Sequence, residues 1–187
     1  MTTRYILQVT LLLCFSTTTL SGSYNLLYFQ QKSSNLACLK LLLQLNGTPE
    51  FCLKDRMDFK FPEEIRQPQH FQKEDTALII YEMLQQIFGI LRRDFSSTGW
   101  NKTIIENLSA ELYQQMDHLE TTLEENMEKE NSVWENMVTI LRLKNYYLRI
   151  VRYLKAKGFS NCSWTVVQIE ILRNLSFIIR LTGFLHN

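Results

Sequence analysis

Residues 162–187 read CSWTVVQIEILRNLSFIIRLTGFLHN, and this stretch decides the fold. At 100° per residue, most of its large apolar side chains fall on one wide arc, and the others lie among charges on the opposite side. A helix that is apolar around most of its circumference is usually central in a bundle, and Gly183 is placed to end it. We therefore expect the other helices to pack on this one. The arc consists of Trp164, Val167, Ile171, Leu172, Leu175, Ile178, Ile179 and Leu185.

The composition predicts one globular domain preceded by a signal peptide. The chain has 187 residues, of which 45% are hydrophobic and 21% are charged, an ordinary globular balance. Residues 1–21 combine a basic start at Arg4, a short apolar run over residues 7–15, and small side chains at Thr19 and Ser21. We expect cleavage after Ser21, which leaves residues 22–187 as a secreted domain.

The mature chain is predicted to be electrically neutral. Cleavage removes Arg4 and takes the formal net charge from +1 to zero. A neutral secreted chain is a poor candidate for binding nucleic acid or an anionic membrane. No later stretch is apolar for long enough to insert across a bilayer, so we expect a soluble extracellular protein.

Four more amphipathic helices are predicted upstream, and no segment has the pattern of a strand. Their ranges are 23–45, 72–92, 101–128 and 136–157. All three prolines fall in the connection over residues 46–71. A crossover of that length lets the first two helices run parallel, as in cytokine bundles. The predicted fold is an all-α bundle of five helices with a long first crossover loop.

The helical period also assigns an apolar face to each helix. In the first helix this face is formed by Leu26, Phe29, Leu36 and Leu43, and it is widened by Leu39, Leu42 and Leu45. In the fourth helix the inward residues are predicted to be Met137, Ile140, Leu141, Tyr147, Leu148, Val151 and Leu154.

Three cysteines remain after cleavage, which allows one disulfide and one odd thiol in an oxidising compartment. Cys38 lies inside a helical pattern, whereas Cys52 lies in a loop and Cys162 at the start of the last helix. Cysteines at the edges of elements adjust more easily to disulfide geometry. We therefore predict a Cys52–Cys162 bond and a free, partly buried Cys38.

No motif for catalysis or cofactor binding is present. The three histidines, His70, His118 and His186, are far apart and lack metal-ligand spacing, and there is no glycine-rich phosphate loop. We predict neither an enzyme nor a cofactor or metal site.

Five N-x-S/T sequons occur, at Asn46, Asn101, Asn107, Asn161 and Asn174. Asn101 sits at a helix break and is the best acceptor, and Asn107 is the second. The other three are less favourable, because Pro49 follows the first sequon, a disulfide restricts Cys162, and Asn174 lies within the last helix. A glycan on Asn174 would shade any binding surface beside Arg173.

Gln168 is the one polar residue on the apolar arc of the last helix. A buried amide needs hydrogen-bond partners. We therefore expect Gln168 to donate to backbone carbonyls of the 46–71 loop and to hold that loop in place.

Several short motifs, in order along the chain, resemble the type I interferon family. They are SYNLL (23–27), QLNG (44–47), CLKDRMDF (52–59), FQKED (71–75), SSTGWN (96–101), YLKAK (153–157), EILRN (170–174) and RLTG (180–183). The likeness runs from the signal peptide to the C-terminus, and three mature cysteines are typical of the beta branch rather than the alpha branch. It implies a five-helix cytokine with a disulfide matching Cys52–Cys162. Gln168 departs from the pattern, which has Arg there.

The resemblance also implies a partner, the two-chain type I interferon receptor, engaged from opposite faces. By motif match, the higher-affinity chain is contacted by Leu53, Arg56, Ile169 and Arg173. The lower-affinity chain is contacted by Phe88, Tyr113 and Lys144. Binding of both chains would bring receptor-associated kinases together, activate JAK–STAT signalling, and induce antiviral, antiproliferative and immunomodulatory responses.

Three other readings stay open at this point. A secreted helical carrier would enclose a cavity for an apolar ligand, and an enzyme of unmarked type would assemble its site from distant residues. Within signalling ligands, another type I interferon is disfavoured by the cysteine pattern. We expect a monomer.

Overall fold

The computed structural model describes residues 2–127 and 133–186, which form helices and turns with no strand among them. The all-α prediction is therefore confirmed. The helices in this part of the chain are α1 (Thr2–Leu43), α2 (Glu63–Arg66), α3 (Lys73–Leu91), α4 (Lys102–Met127), α5 (Val133–Ala156) and α6 (Asn161–Gly183). Short 3₁₀ segments occur at Pro49–Asp55, Pro68–His70 and Ser96–Thr98.

Helices α1 and α3 run parallel, because each is antiparallel to α4. In α1, the Ser23 hydroxyl donates to Glu125 Oε2 at 3.2 Å, and Gln31, eight residues later, donates to the Gln115 carbonyl at 3.0 Å. The contacted residue number on α4 falls as the number on α1 rises, which shows that the two helices are antiparallel. Helix α4 also packs along α3, to which it is joined by only residues 92–101, a connection typical of antiparallel neighbours. The predicted crossover topology therefore follows from the contacts.

Helix α6 is the centre of the bundle, as its sequence predicts. It packs on α1, α3 and α5, and Trp164, Val167 and Ile178 are fully buried. Ser160 caps its start by accepting a hydrogen bond from the Ser163 amide. One residue of the predicted arc, Ile179, is exposed.

Helix α1 begins at Thr2 and continues without a break through the predicted signal peptide into the predicted first helix. An apolar run of this kind itself favours helix, so the conformation marks no boundary at Ser21. The signal peptide stays a prediction.

The predicted apolar face of α1 is wrong in its main residues, although Leu42 and Leu45, which the prediction includes, are buried. Leu26, Phe29, Leu36 and Leu43 are all more than half exposed. The buried face instead includes polar residues, because Gln31 donates to the Gln115 carbonyl and Asn35 donates to Thr182 Oγ1 at 2.9 Å. Buried amides with partners of this kind are compatible with a core. The buried residues of α1 are Tyr24, Leu27, Gln31, Asn35, Cys38 and Leu42.

The inward face of α5 is also partly wrong. Met137, Leu141 and Leu148 are exposed, whereas Leu143, Tyr146 and Ile150 are fully buried. The real inner face is rotated from the predicted one, and it turns two adjacent tyrosines, Tyr146 and Tyr147, into the core.

None of the described helices is long and apolar enough to cross a membrane.

Candidate binding groove

The long connection between α1 and α3 is fixed to α6 by a disulfide. Cys52 and Cys162 are bonded as predicted, with a Cα–Cα distance of 5.1 Å. Cys52 lies in the 3₁₀ segment Pro49–Asp55, and Cys162 lies in the first turn of α6. The bond therefore holds the residues that follow Cys52 beside the surface of α6.

Helix α5 and the residue that follows it, Lys157, also hold this connection. The Tyr153 hydroxyl donates to the Asp55 carbonyl at 2.7 Å, and Lys157 Nζ lies 2.8 Å from Asp55 Oδ1. Arg149 donates to the carbonyls of Phe59 and Lys60, each at 2.9 Å. These contacts place residues 55–60 on the bundle, although the segment has little regular structure.

A groove of about 710 Å³ lies between this connection and α6. Leu53, Arg56, Ile169 and Arg173, the four residues that the resemblance assigns to the higher-affinity receptor chain, all line it. Leu53 and Ile169 are 65% and 46% exposed. A surface with apolar side chains this open can bury them only against a partner.

Charged groups complete the groove. Arg56 and Asp58 lie on the connection, and Glu170 and Arg173 lie on α6. Arg173 Nη1 is 3.6 Å from Glu170 Oε1, and its guanidinium lies 5.7 Å from the centre of the Phe177 ring. An arginine that is oriented in this way can make paired hydrogen bonds to a partner.

Sequence reasoning missed Met57, Asp58 and Glu170 as groove residues. The disulfide predicted above would have been enough to find the first two, since it fixes the segment after Cys52 against α6. Nothing in the sequence pattern indicated that Glu170 lines the groove, because Glu170 follows Ile169, which is exposed, and is itself mostly buried.

A second, smaller pocket of about 190 Å³ lies between α3 and α4. Phe88 and Tyr113, two of the residues assigned to the lower-affinity chain, line it together with Tyr81, Asp117 and Glu120. The pKa of Tyr81 is raised, first by burial and then by the Glu120 carboxylate. Its hydroxyl therefore stays protonated at neutral pH.

Lys144, the third of these residues, does not line that pocket. Its Nζ lies 3.6 Å from Glu82 Oε2, and Glu82 is almost fully buried on α3. Phe88 and Glu82 lie six residues apart on α3 and point to different neighbours. The lower-affinity surface would thus extend across α4, α3 and α5 rather than form one pocket.

The sequons differ sharply in accessibility. Asn46, Asn101, Asn107 and Asn161 are exposed. Asn174 is 1% exposed, and its amide lies in the core. The expectation that a glycan on Asn174 could shade the surface beside Arg173 is therefore wrong, because the side chain points inward.

Cys38 is a free thiol and is fully rather than partly buried. Burial, followed by the Glu111 carboxylate, raises the pKa of this thiol to about 12, although a hydrogen bond from Gln115 opposes the shift. A neutral buried thiol is inert. No group of three or more His, Cys, Asp or Glu side chains in the described part of the chain is placed to hold a metal ion.

Gln168 is buried and donates to backbone carbonyls, but not to those of the 46–71 loop. Its acceptors are the carbonyls of Leu42 at 3.2 Å and Leu45 at 2.9 Å. Both lie at the end of α1, so Gln168 fixes the point where the connection begins. A methyl group on Gly47 would lie 2.7 Å from Gln168 Oε1, so this amide fits closely against the turn.

Comparison with known proteins assigns the family. A sequence profile of the interferon alpha/beta domain matches residues 27–185. Interferon beta of Homo sapiens is 63% identical over 187 residues, which are 100% of each chain, and interferon beta of Mus musculus is 46% identical with the same coverage. The chain belongs to the beta branch of the type I interferons. Among solved structures, zebrafish interferon 2 is 25% identical with a TM-score of 0.69, covering 80% of this chain and 97% of that chain.

Membership of this family confirms that the chain is a cytokine and not an enzyme, as the sequence predicts. Membership of a cytokine family also excludes the alternative that the chain is a carrier of an apolar ligand. The structure agrees with that outcome, since the larger groove is open to solvent and lined by charged side chains.

Proposed function

We propose that this chain is a secreted type I interferon that binds both chains of the type I interferon receptor and activates JAK–STAT signalling. The observation that carries the proposal is the groove, which gathers Leu53, Arg56, Ile169 and Arg173 from two distant segments. The motif match assigns all four residues to one receptor chain. Their meeting at one open surface supports the groove as the contact for the higher-affinity receptor chain.

The pocket between α3 and α4 supports a second contact. It presents the rings of Phe88 and Tyr113 beside acidic groups, and Lys144 lies across α3 from it. Helix α4 packs on α1 and α3, whereas α6 packs on α1, α3 and α5. This packing supports two separate surfaces, and we infer that two receptor chains bind one molecule at once. We infer that this bridging brings the receptor-associated kinases together and leads to antiviral, antiproliferative and immunomodulatory responses.

The test is a signalling assay with the secreted protein. Wild type and Arg56→Ala are added to cells that carry the type I interferon receptor and an interferon-response reporter. We expect a strong wild-type response and a potency about tenfold or more lower for the variant, as for an interface anchor. Arg152→Ala is the matched control, since Arg152 is exposed on α5 and lines neither surface.

Two outcomes would contradict the proposal. One is a folded, disulfide-bonded wild type that gives no response in cells bearing the receptor of the matching species. The other is a response that persists in cells lacking either receptor chain.

A further inference from the structure

A chain of buried hydrogen bonds runs from α5 to the groove. The Tyr147 hydroxyl donates to Asn174 Oδ1 at 2.5 Å, and Asn174 Nδ2 donates to the Tyr146 oxygen at 2.6 Å. The Tyr146 hydroxyl in turn donates to Glu170 Oε1 at 2.6 Å. Each hydroxyl thus donates to one acceptor, and the chain ends on a carboxylate that lines the groove.

The members of this chain are nearly inaccessible to solvent. Tyr146 is 0% and Glu170 is 8% exposed, so water does not compete for their hydrogen bonds. A carboxylate in such surroundings is stable only with partners. Burial, followed by the Glu170 charge, raises the pKa of Tyr146, so its hydroxyl remains a donor at neutral pH.

The acceptor oxygen of Glu170 is also the oxygen closest to Arg173. Glu170 Oε1 lies 3.6 Å from Arg173 Nη1 and 2.6 Å from the Tyr146 hydroxyl. The hydroxyl therefore fixes the orientation of the carboxylate, and the carboxylate restrains the guanidinium. Phe177 limits Arg173 from the other side, because it stacks on Phe61 with ring centres 4.5 Å apart.

We propose that Tyr146 is a positioning residue for the higher-affinity receptor contact, acting through Glu170 to hold Arg173 in its binding orientation. The inference rests on the proposed function, because it assumes that Arg173 contacts that receptor chain. A side chain that is ordered before binding loses less conformational entropy in the complex. Removing the Tyr146 hydroxyl should therefore weaken binding although Tyr146 touches no partner.

The experiment is a double-mutant cycle on the full secreted protein. Dissociation constants for the isolated ectodomains of the two receptor chains are measured for wild type, Tyr146→Phe, Arg173→Ala and the double variant. We expect Tyr146→Phe to weaken binding to the higher-affinity chain about three- to tenfold when Arg173 is present and less than about twofold when it is Ala. Binding to the lower-affinity chain should be unchanged.

Thr182→Val is the matched control. It removes a buried hydroxyl of α6 that accepts from Asn35 and donates to the Ile178 carbonyl, outside the chain that ends on Glu170. We expect a comparable loss of thermal stability and no selective loss of binding. Glu170→Gln provides a second route to the same result if Tyr146→Phe folds poorly, since it keeps the size of the side chain and removes the charge that restrains Arg173.

The inference is overturned by either of two results in a receptor-binding wild type. One is an equal loss of affinity from Tyr146→Phe with and without Arg173. The other is no loss at all from both Tyr146→Phe and Glu170→Gln. A folded wild type that binds neither receptor chain is a different result, which overturns the proposed function and this inference with it.

Discussion

Asn174 is buried, and its side-chain amide makes three hydrogen bonds in the core. It accepts from Tyr147 and donates to Tyr146 and to the Glu170 carbonyl. A glycan on this nitrogen would remove a donor and would force the side chain out of the core, leaving buried partners without hydrogen bonds. A glycan on Asn174 is therefore incompatible with the folded domain.

We predict that the secreted protein carries no glycan on Asn174. Ser176→Ala removes this sequon at an exposed position and should leave the glycan mass unchanged. Thr103→Ala, which removes the sequon of the exposed Asn101, is the matched comparison and should lower the mass by one glycan. Intact-mass spectrometry of the secreted proteins measures both. A mass lower by one glycan in Ser176→Ala would contradict the burial of Asn174.

At the scale of the element, the end of α1 depends on Gln168 of α6. Leu45 is buried, and its carbonyl receives the shorter of the two Gln168 hydrogen bonds. We predict that Gln168→Leu lowers the free energy of unfolding by about 1–3 kcal/mol, because it removes the hydrogen bond that the Leu45 carbonyl accepts from Gln168. Urea denaturation measures the loss, and faster hydrogen exchange at the amides of residues 44–48 would locate it.

Gln44→Leu is the control for this prediction. Gln44 is also a glutamine at the end of α1, but it is exposed and its side chain donates to the Lys40 carbonyl. Its replacement should change stability by no more than about 0.5 kcal/mol. Equal effects of the two substitutions would show that Gln168 does not anchor the helix end.

The same elements show what the sequence could predict. The range 72–92 predicts α3 correctly, and apolar residues that follow its helical period, among them Ala77, Ile80, Leu84 and Ile87, are buried. The face of α1 is predicted wrongly for the most part, since Gln31 and Asn35 are buried while Leu26, Leu36 and Leu43 are exposed. Periodicity counts apolar residues, and it cannot detect that an amide has found a partner on a helix more than eighty residues away.

The candidate site divides in the same way. The Cys52–Cys162 bond was predictable from where the two cysteines lie in the predicted elements. The position of the segment after Cys52 was predictable as well, because that segment is close in sequence to the bonded cysteine. The chain of hydrogen bonds from Tyr147 to Glu170 was not, because it depends on how far α5 is rotated about its own axis. A rotation of one residue position exchanges Tyr146 for an exposed neighbour, and no one-dimensional pattern fixes that angle.

At the scale of the whole molecule, the disulfide closes a loop between residues separated by 110 positions. In the chain-entropy account, a loop of this size stabilises the fold by about 4–5 kcal/mol. We predict a loss of that order in the double variant Cys52→Ser, Cys162→Ser, measured by denaturant unfolding. The variant should also bind the higher-affinity receptor chain more weakly, because the groove loses the connection that forms one wall.

Cys38→Ser is the control, since it changes a buried cysteine and keeps the crosslink. Gln115 Nε2 lies 3.2 Å from the Cys38 sulfur and can reach a hydroxyl there. We expect a loss of only about 1 kcal/mol. If the loss equals that of the double variant, the crosslink contributes no more than the packing of one side chain.

The pairing of α1 with α6 has a consequence for the order in which the domain is built. Asn35 and Thr182 are hydrogen-bonded across 147 positions, and Gln168 reaches the carbonyls of Leu42 and Leu45 across more than 120. A chain that leaves the ribosome N-terminus first exposes the inner surfaces of α1, α3 and α5 until α6 emerges. Contacts of such long sequence separation form late. Helix α6 follows α1, α3 and α5 in the chain and packs on all three, so these helices cannot complete their packing until α6 has been made.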